Sequence, residues 1–575
     1  MTKRQHTAMR NYLLTTFPKK SLSLEFILFL AIALVVLLRI IYLGSREFWY
    51  DEVLSLLLSN GQKLNYKTPG DIPTLLSAYT QVLQLPVENS LGDILNTLKN
   101  LFRGIASEPH PFFFYLSQHI WLRLFGDREA AFRGLEVFLS ICTIISAYGL
   151  GRILLGNRGG LIFAALLGAN PFFFYHSLNA RMYCPLVFWV VLSGWALVYL
   201  LTQSEAEAAA EPYRNLLWNC LFIATIAGGL LTFYFFSYWL VALGVLALYI
   251  DRSHWKQHAL RFTLGCLAVL PWVLWGTEQQ VRNADTQRFA TSMNVIKALP
   301  YHLADTLQTL GVHLVVGDWA AQLPGSFVLA AGGLATAFLV FISVQLWQRQ
   351  ERHLLIIGLI LGVLPFSLAL TSDILTQKFT IAWGLGRSVI YALPGCLLLI
   401  TVWLEKVTGA WRRWAVITTL VVYLGFSIGD FSGRNRQMFH MVNRWVQQQA
   451  DTPTLLVMGT KAWGHVLRLA YYVDPHASVD LLATKPVDLA DSLQKSLTEN
   501  AKRYSQVLWL EPADAVWAEP KTNQEKQAIH QTVQDTLNHH YQFVKQTTLK
   551  GTMALDEFTL SLYSSSKNLP QNSKS

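Results

Sequence analysis

Apolar runs long enough to cross a bilayer recur through this chain, from 24–43 near its start to 412–430. A spanning helix needs ~20 predominantly apolar residues, and lipid offers nothing to an unpaired backbone amide, so such runs must be helical. The length of 575 residues would otherwise suggest several soluble domains of roughly 150 residues each. Composition excludes that: 52% of residues are hydrophobic and 14% charged, against about 25% charged in soluble domains. The chain therefore reads as a polytopic α-helical membrane protein.

Spans are expected at 24–43, 134–151, 160–176, 183–201, 216–232, 234–250, 260–276, 326–347, 354–371, 387–404 and 412–430, eleven in all. Two polar stretches, 45–132 and 277–325, read as long loops, with an amphipathic surface helix at 91–101. The apolar piece 111–126 is short and interrupted by Gln118, His119 and Arg123. Leaving it as a re-entrant or surface helix collects Lys3, Arg4 and Arg10, then Arg152 and Arg158, Arg214, Arg252, Lys256 and Arg261, Arg349 and Arg352, and Lys406, Arg412 and Arg413 on one side. That is the positive-inside pattern, with a cytoplasmic N-terminus and a retained anchor rather than a cleaved signal. The membrane domain is expected over 1–430 and a small extracytoplasmic α/β domain over 431–565. Its strands fall at 455–458, 479–482, 507–510 and 559–563, its helices at 462–472, 487–502 and 523–538, and 566–575 reads as a disordered tail.

The net charge of +10 sits largely in the short loops and is not a nucleic-acid signal. Cys142, Cys184, Cys220, Cys266 and Cys396 all lie in apolar runs, so no disulfide framework is implied. No C-x-x-C or H-E-x-x-H spacing occurs; no cofactor is expected, and a divalent metal stays open.

Chemistry concentrates at one face. Directly after the first span comes Arg46-Glu47-Phe48-Trp49-Tyr50-Asp51-Glu52. Aromatics and acids at a membrane exit are compatible with an interfacial belt. The same face, however, receives His110, Arg133, Arg181, Tyr183 and Arg387 from other stretches. A single arginine at a span end is ordinarily a snorkelling anchor. Several converging on paired carboxylates suit a lipid phosphate, which a guanidinium fork holds bidentately, while a carboxylate takes a proton from an attacking hydroxyl. His110 has two readings, orienting the surface helix or transferring a proton, and the first is favoured. Arg46 is a possible supporting residue.

These residues also carry a resemblance. F-W-Y-D-E-V at 48–53, E-P-H-P-F-F-F-Y-L at 108–116, L-F-G-D-R-E-A-A-F-R-G at 124–134 and N-P-F-F-F-Y-H-S-L-N-A-R-M-Y at 170–183 resemble, in order, motifs of the GT-C glycosyltransferases. The branch is the one that includes protein O-mannosyltransferases and lipid A aminoarabinose transferases. G-R-S-V-I-Y-A-L-P at 386–394 is similar to its late motif, with Ser388 in place of a tyrosine. The resemblance, over about 25–405, implies a cell-envelope enzyme of the inner (plasma) membrane. Its donor would be a polyprenyl-phosphate sugar and its acceptor a hydroxyl on a lipid, polysaccharide or protein. Asp51 would be the base, Glu52 an orienting group, and Arg133, Arg181, Tyr183 and Arg387 ligands of the donor phosphate. A glycan polymerase or ligase using a lipid diphosphate is the nearest rival. A transporter fits less well, because the spans carry few charges at their centres.

Overall fold

The computed structural model describes residues 23–203, 210–283, 289–433, 437–448, 452–500, 503–516, 519–551 and 556–565. The basic N-terminal segment and the 566–575 tail lie outside the described residues.

Among the described residues, eight helices are long and apolar enough to cross a membrane, or nine if the bent pair Trp255–Leu267 and Leu270–Asn283 is one span. The expectation of eleven differs from this count at three places. The segments expected at 134–151 and 160–176 fall on one helical stretch, Glu129–Ala169, broken at Gly156 with φ 78°, and the second continues past Asn170 into the short helix Pro171–His176. The chain doubles back there, and Gly151 meets Gly160 so closely that an added Cβ would lie 2.9 Å from its Cα. The segment at 234–250 is Phe236–Ile250, only 15 residues long, and the one at 260–276 is the bent pair. The apolar segments thus lie where the sequence puts them, and the number that crosses depends on how these three are counted. The piece at 111–126 forms the 13-residue helix Phe113–Phe125, about 20 Å long and too short to span.

The loop 277–325 is more ordered than its polarity implied. It contains the helix Val295–Gly311, capped by Asn294, whose side chain accepts from Lys297 N–H. The surface helix runs over Leu91–Ile105, capped by Ser90, and it exposes Leu91 and Leu95.

Beyond the bundle lies a six-stranded sheet. Its strands are β1 (Thr74–Leu75), β2 (Thr454–Met458), β3 (Val479–Ala483), β4 (Gln506–Pro512), β5 (Gln542–Lys550) and β6 (Glu557–Ser564), in the order β1-β3-β2-β4-β6-β5. β2 pairs in parallel with both β3 and β4, while β6 runs antiparallel to β4 and β5. Two strands were not legible in the sequence. β5 is an edge strand with mostly exposed side chains, so no apolar alternation marks it. β1 belongs to the first loop and pairs antiparallel with β3; that loop is therefore part of the sheet domain and not a free connection.

One apolar cluster joins the two layers. Phe48, Val53, Leu56 and Leu57 beside the acids pack with Met458, Leu467 and Leu469 of the sheet domain. Burial of this kind fixes the acidic segment between bundle and sheet.

Candidate active site

The acidic residues open the helix Tyr50–Ser59, where the exposed amides and helix dipole favour negative charge. Trp49 N–H donates to Glu52 Oε2 at 3.1 Å, which locks the first turn. Being adjacent on a helix, the two carboxylates point in different directions and meet different partners.

Glu52 is fully buried. It accepts from Arg133 Nε at 2.7 Å, from Arg133 Nη2 at 2.8 Å and from Ala180 N–H at 2.9 Å. Burial alone would push its carboxyl up; the Arg133 pair outweighs that and holds it below the ordinary glutamate value. Arg133 donates further to the carbonyls of Leu43 (3.1 Å), Arg46 (2.9 Å) and Glu47 (3.1 Å). A guanidinium has five N–H donors, and these contacts occupy all of them. Arg133 was expected among the phosphate ligands. Its geometry corrects this, since a fully buried guanidinium with every donor engaged has none to offer a phosphate.

Asp51 has a different setting. Its side chain keeps 17% exposure, and Oδ2 lies 3.0 Å from Arg387 Nη1 and 3.8 Å from Arg181 Nη2. Arg181 also donates to Ser55 Oγ at 2.9 Å. Burial raises the Asp51 carboxyl, but Arg387, Arg181 and His110 together bring it below the usual carboxylate range. Both arginines are nearly buried, and the Nε atom of each has no hydrogen-bond partner among the described residues. An unpaired buried N–H costs free energy unless something occupies it. Two such forks facing one carboxylate make a ready anion site.

Arg387 reaches this place through an unusual turn. Gly384, Leu385 and Gly386 have φ of 56°, 62° and 81°, three left-handed residues in succession. A Cβ on Gly386 would lie 2.6 Å from Thr309 Cγ2, and one on Gly384 would run into Arg387 itself. Asp373 ties the approach by accepting from Thr380 N–H (2.7 Å) and Ile381 N–H (3.1 Å). Ser388, which departs from the motif tyrosine, donates to the Thr380 carbonyl at 2.6 Å and so closes the same turn. The guanidinium then lies over Trp383, Trp49 and Tyr183, at 4.1, 5.0 and 5.4 Å from the ring centroids. Tyr183 therefore meets Arg387 through its ring.

Arg46 donates to the Leu178 carbonyl at 2.6 Å and to Asn179 Oδ1, and stacks over Tyr175 and Phe431. It anchors the turn that leads to Arg181. His110 is half-buried beside Phe233, its carbonyl accepts from Gln280 Nε2 at 2.7 Å, and its charge bears on Asp51.

The sheet domain grips the acidic segment directly. Phe48 N–H donates to Tyr472 Oη at 2.6 Å, and Arg468 Nη1 donates to the Phe48 carbonyl at 3.3 Å. Glu47 accepts from the backbone N–H of Phe439 (3.0 Å) and His440 (2.7 Å). Tyr472, Arg468, Ser55 and Trp383 were not singled out in the sequence, and Trp49 was read there only as an interfacial aromatic of the acidic motif. For Trp383 the signal was present in Gly384-Leu385-Gly386 before an arginine; for Tyr472 and Arg468, hundreds of residues from the acids, no local signal exists. Among the described residues, no three His, Cys, Asp or Glu side chains gather as a metal site.

Residues 109–275 match the family model described as dolichyl-phosphate-mannose-protein mannosyltransferase. No curated protein matches the chain. Among solved structures, the chain is similar to the Archaeoglobus fulgidus oligosaccharyltransferase complexed with Zn and sulfate, at 12% identity and a TM-score of 0.46, covering 94% of this chain and 74% of that one. It is also similar to ArnT from Cupriavidus metallidurans bound to undecaprenyl phosphate, at 13% identity and a TM-score of 0.40, covering 94% and 99%. The Archaeoglobus fulgidus oligosaccharyltransferase AglB, in complex with an inhibitory peptide and a dolichol-phosphate, matches at 12% identity and 0.45, covering 96% and 76%.

Proposed function

We propose that this chain is a membrane glycosyltransferase of the GT-C kind that moves a sugar from a polyprenyl-phosphate donor to an acceptor hydroxyl on the extracytoplasmic face, with inversion. The observation that carries the reading is Asp51 facing two nearly buried arginines, Arg181 and Arg387, each with an unengaged Nε. The donor's single phosphate sits between these forks. The acceptor oxygen attacks the anomeric carbon, its proton passes to Asp51, and the carbon–oxygen bond to phosphate breaks with its electron pair leaving on the polyprenyl phosphate. The arginines stabilise the charge that develops on that oxygen.

A carboxylate held by two arginines is a weak base, and donor binding relieves this. When the phosphate takes the guanidinium groups, Asp51 loses the charges that depress its pKa, so its basicity rises where and when a proton must be taken. Glu52 and Arg133 are positioning residues: their buried pair fixes the turn that presents Asp51. Orientation of the site toward the outside, in the inner (plasma) membrane, rests on the distribution of lysine and arginine among the loops.

The test uses full-length protein in nanodiscs with a labelled polyprenyl-phosphate sugar. Asp51→Asn keeps the shape of the side chain and removes its basicity. Transfer, or slow release of sugar to water, falls by about 10²–10⁴-fold, while donor binding is retained or tightened because a competing carboxylate is gone. Undiminished transfer by Asp51→Asn refutes the assignment.

A further inference from the structure

The sheet domain has a crevice of its own. β2 and β3 are adjacent and parallel, but the chain leaves them toward opposite faces. The helix after β2, Trp463–Tyr472, packs with Leu456, Met458 and Leu481 on one face. The helix after β3, Leu489–Asn500, packs with Leu455, Val457 and Leu482 on the other. In open sheets with parallel strands, ligands bind at the carboxyl ends of the strands where the connections part in this way. A cavity of about 380 Å³ lies there, lined by Lys461 and Trp463 after β2, Lys485 after β3, Glu519, and Tyr50 of the acidic helix.

We propose that this crevice is an acceptor subsite that takes an anionic saccharide, the acidic or phosphorylated sugar of the molecule that receives the transferred group. Three features set the class. Lys461 and Lys485 are the cations of the lining; Lys461 is held 3.0 Å from Asp71, and Lys485 lies 3.8 Å from Glu519, beyond hydrogen-bonding distance. Lys485 keeps 58% side-chain exposure and is free to exchange Glu519 for a ligand anion. Trp463 is partly exposed and offers aromatic surface, which suits the apolar face of a sugar ring, while the buried Tyr50 closes the floor beside it. Tyr50 is the residue before Asp51, so the crevice adjoins the catalytic helix. An acceptor seated there is tethered beside the base, which raises its effective concentration at the site of transfer.

This inference takes from the function proposed above that the chain has an acceptor, and its test does not require turnover. Full-length protein in phosphatidylcholine nanodiscs, with the Arg181/Arg387 phosphate site first saturated by polyprenyl phosphate, is titrated with glucose 1-phosphate and with glucuronate, with glucose as the neutral control, and binding is read by ligand-observed NMR. The expected result is saturable binding of both anions, weaker binding of glucose, and a loss of about ten- to a hundredfold in Lys485→Glu. Arg387→Ala, which removes an arginine from the catalytic phosphate site, shows without polyprenyl phosphate the same crevice binding as the saturated parent. Retained binding of the polyprenyl-phosphate donor by Lys485→Glu shows that this variant is folded. The proposal is overturned if neither anion binds the parent, if glucose binds as tightly, or if Lys485→Glu binds like the parent. It is also overturned if the loss appears in Arg387→Ala instead. Displacement of the anions in phosphatidylglycerol nanodiscs would assign the crevice to lipid headgroups and overturn it as well. Failure of the Asp51→Asn test would leave these binding results standing, so the two readings fail separately.

Discussion

Glu52→Gln should unfold this protein more readily, although it changes one atom in a residue beside the proposed base. The parent carboxylate accepts four hydrogen bonds, two from Arg133, one from Ala180 N–H and one from Trp49 N–H, all in a site closed to solvent. A glutamine amide has one acceptor oxygen and one NH2, so at least one of those donors meets another donor. The buried Arg133 charge then loses the carboxylate in contact with it. Breaking a buried pair from one side costs about 3–5 kcal/mol, a large part of the net stability of a typical domain. Thermal unfolding in detergent, followed by tryptophan fluorescence, should show a clearly lowered midpoint for Glu52→Gln and a much smaller change for Asp51→Asn. The pair also predicts a sign with pH. The folded Glu52 carboxyl is depressed, so its contribution is present above the ordinary glutamate pKa and is lost as pH falls through the lower folded value. Acidification should therefore destabilise the parent more than Glu52→Gln. An unchanged midpoint in Glu52→Gln would refute the reasoning.

The remaining predictions concern the phosphate site and the topology. Arg181→Ala and Arg387→Ala should each weaken donor binding by roughly ten- to a hundredfold, with lysine rescuing only in part because a point charge lacks the fork; donor titration by fluorescence or calorimetry checks this. Gly386→Ala adds a Cβ where Thr309 Cγ2 lies 2.6 Å away and φ is 81°, so the same titration should show weakened donor binding although no charge is removed. Reporter fusions at Gln350 and Ser478 should report opposite sides of the membrane, and finding both on one side would remove the orientation.

By itself the sequence determined the membrane class, the placement of the apolar segments and most of the tail's elements. These follow from local pattern: apolar length for the spans, short apolar runs for β2, β3 and β4 and alternation for β6, and loop charge for the expected orientation. It also assigned Asp51, Glu52, Arg133, Arg181, Tyr183 and Arg387 to one expected face, since all of them follow or begin apolar runs. What it could not do was distribute roles among them. The tertiary structure alone decided that Arg133 belongs to Glu52 and that Arg181 and Arg387 belong to Asp51. All three arginines look alike in one dimension, and their partners lie 81, 130 and 336 positions away in the chain. Likewise, nothing local to Thr74, Arg468 or Tyr472 announces that the first loop completes the sheet or that the sheet domain holds the acidic turn. Long-range hydrogen bonds and burial settle such matters, because which donor is already engaged is a property of the packed molecule and not of any stretch of its chain.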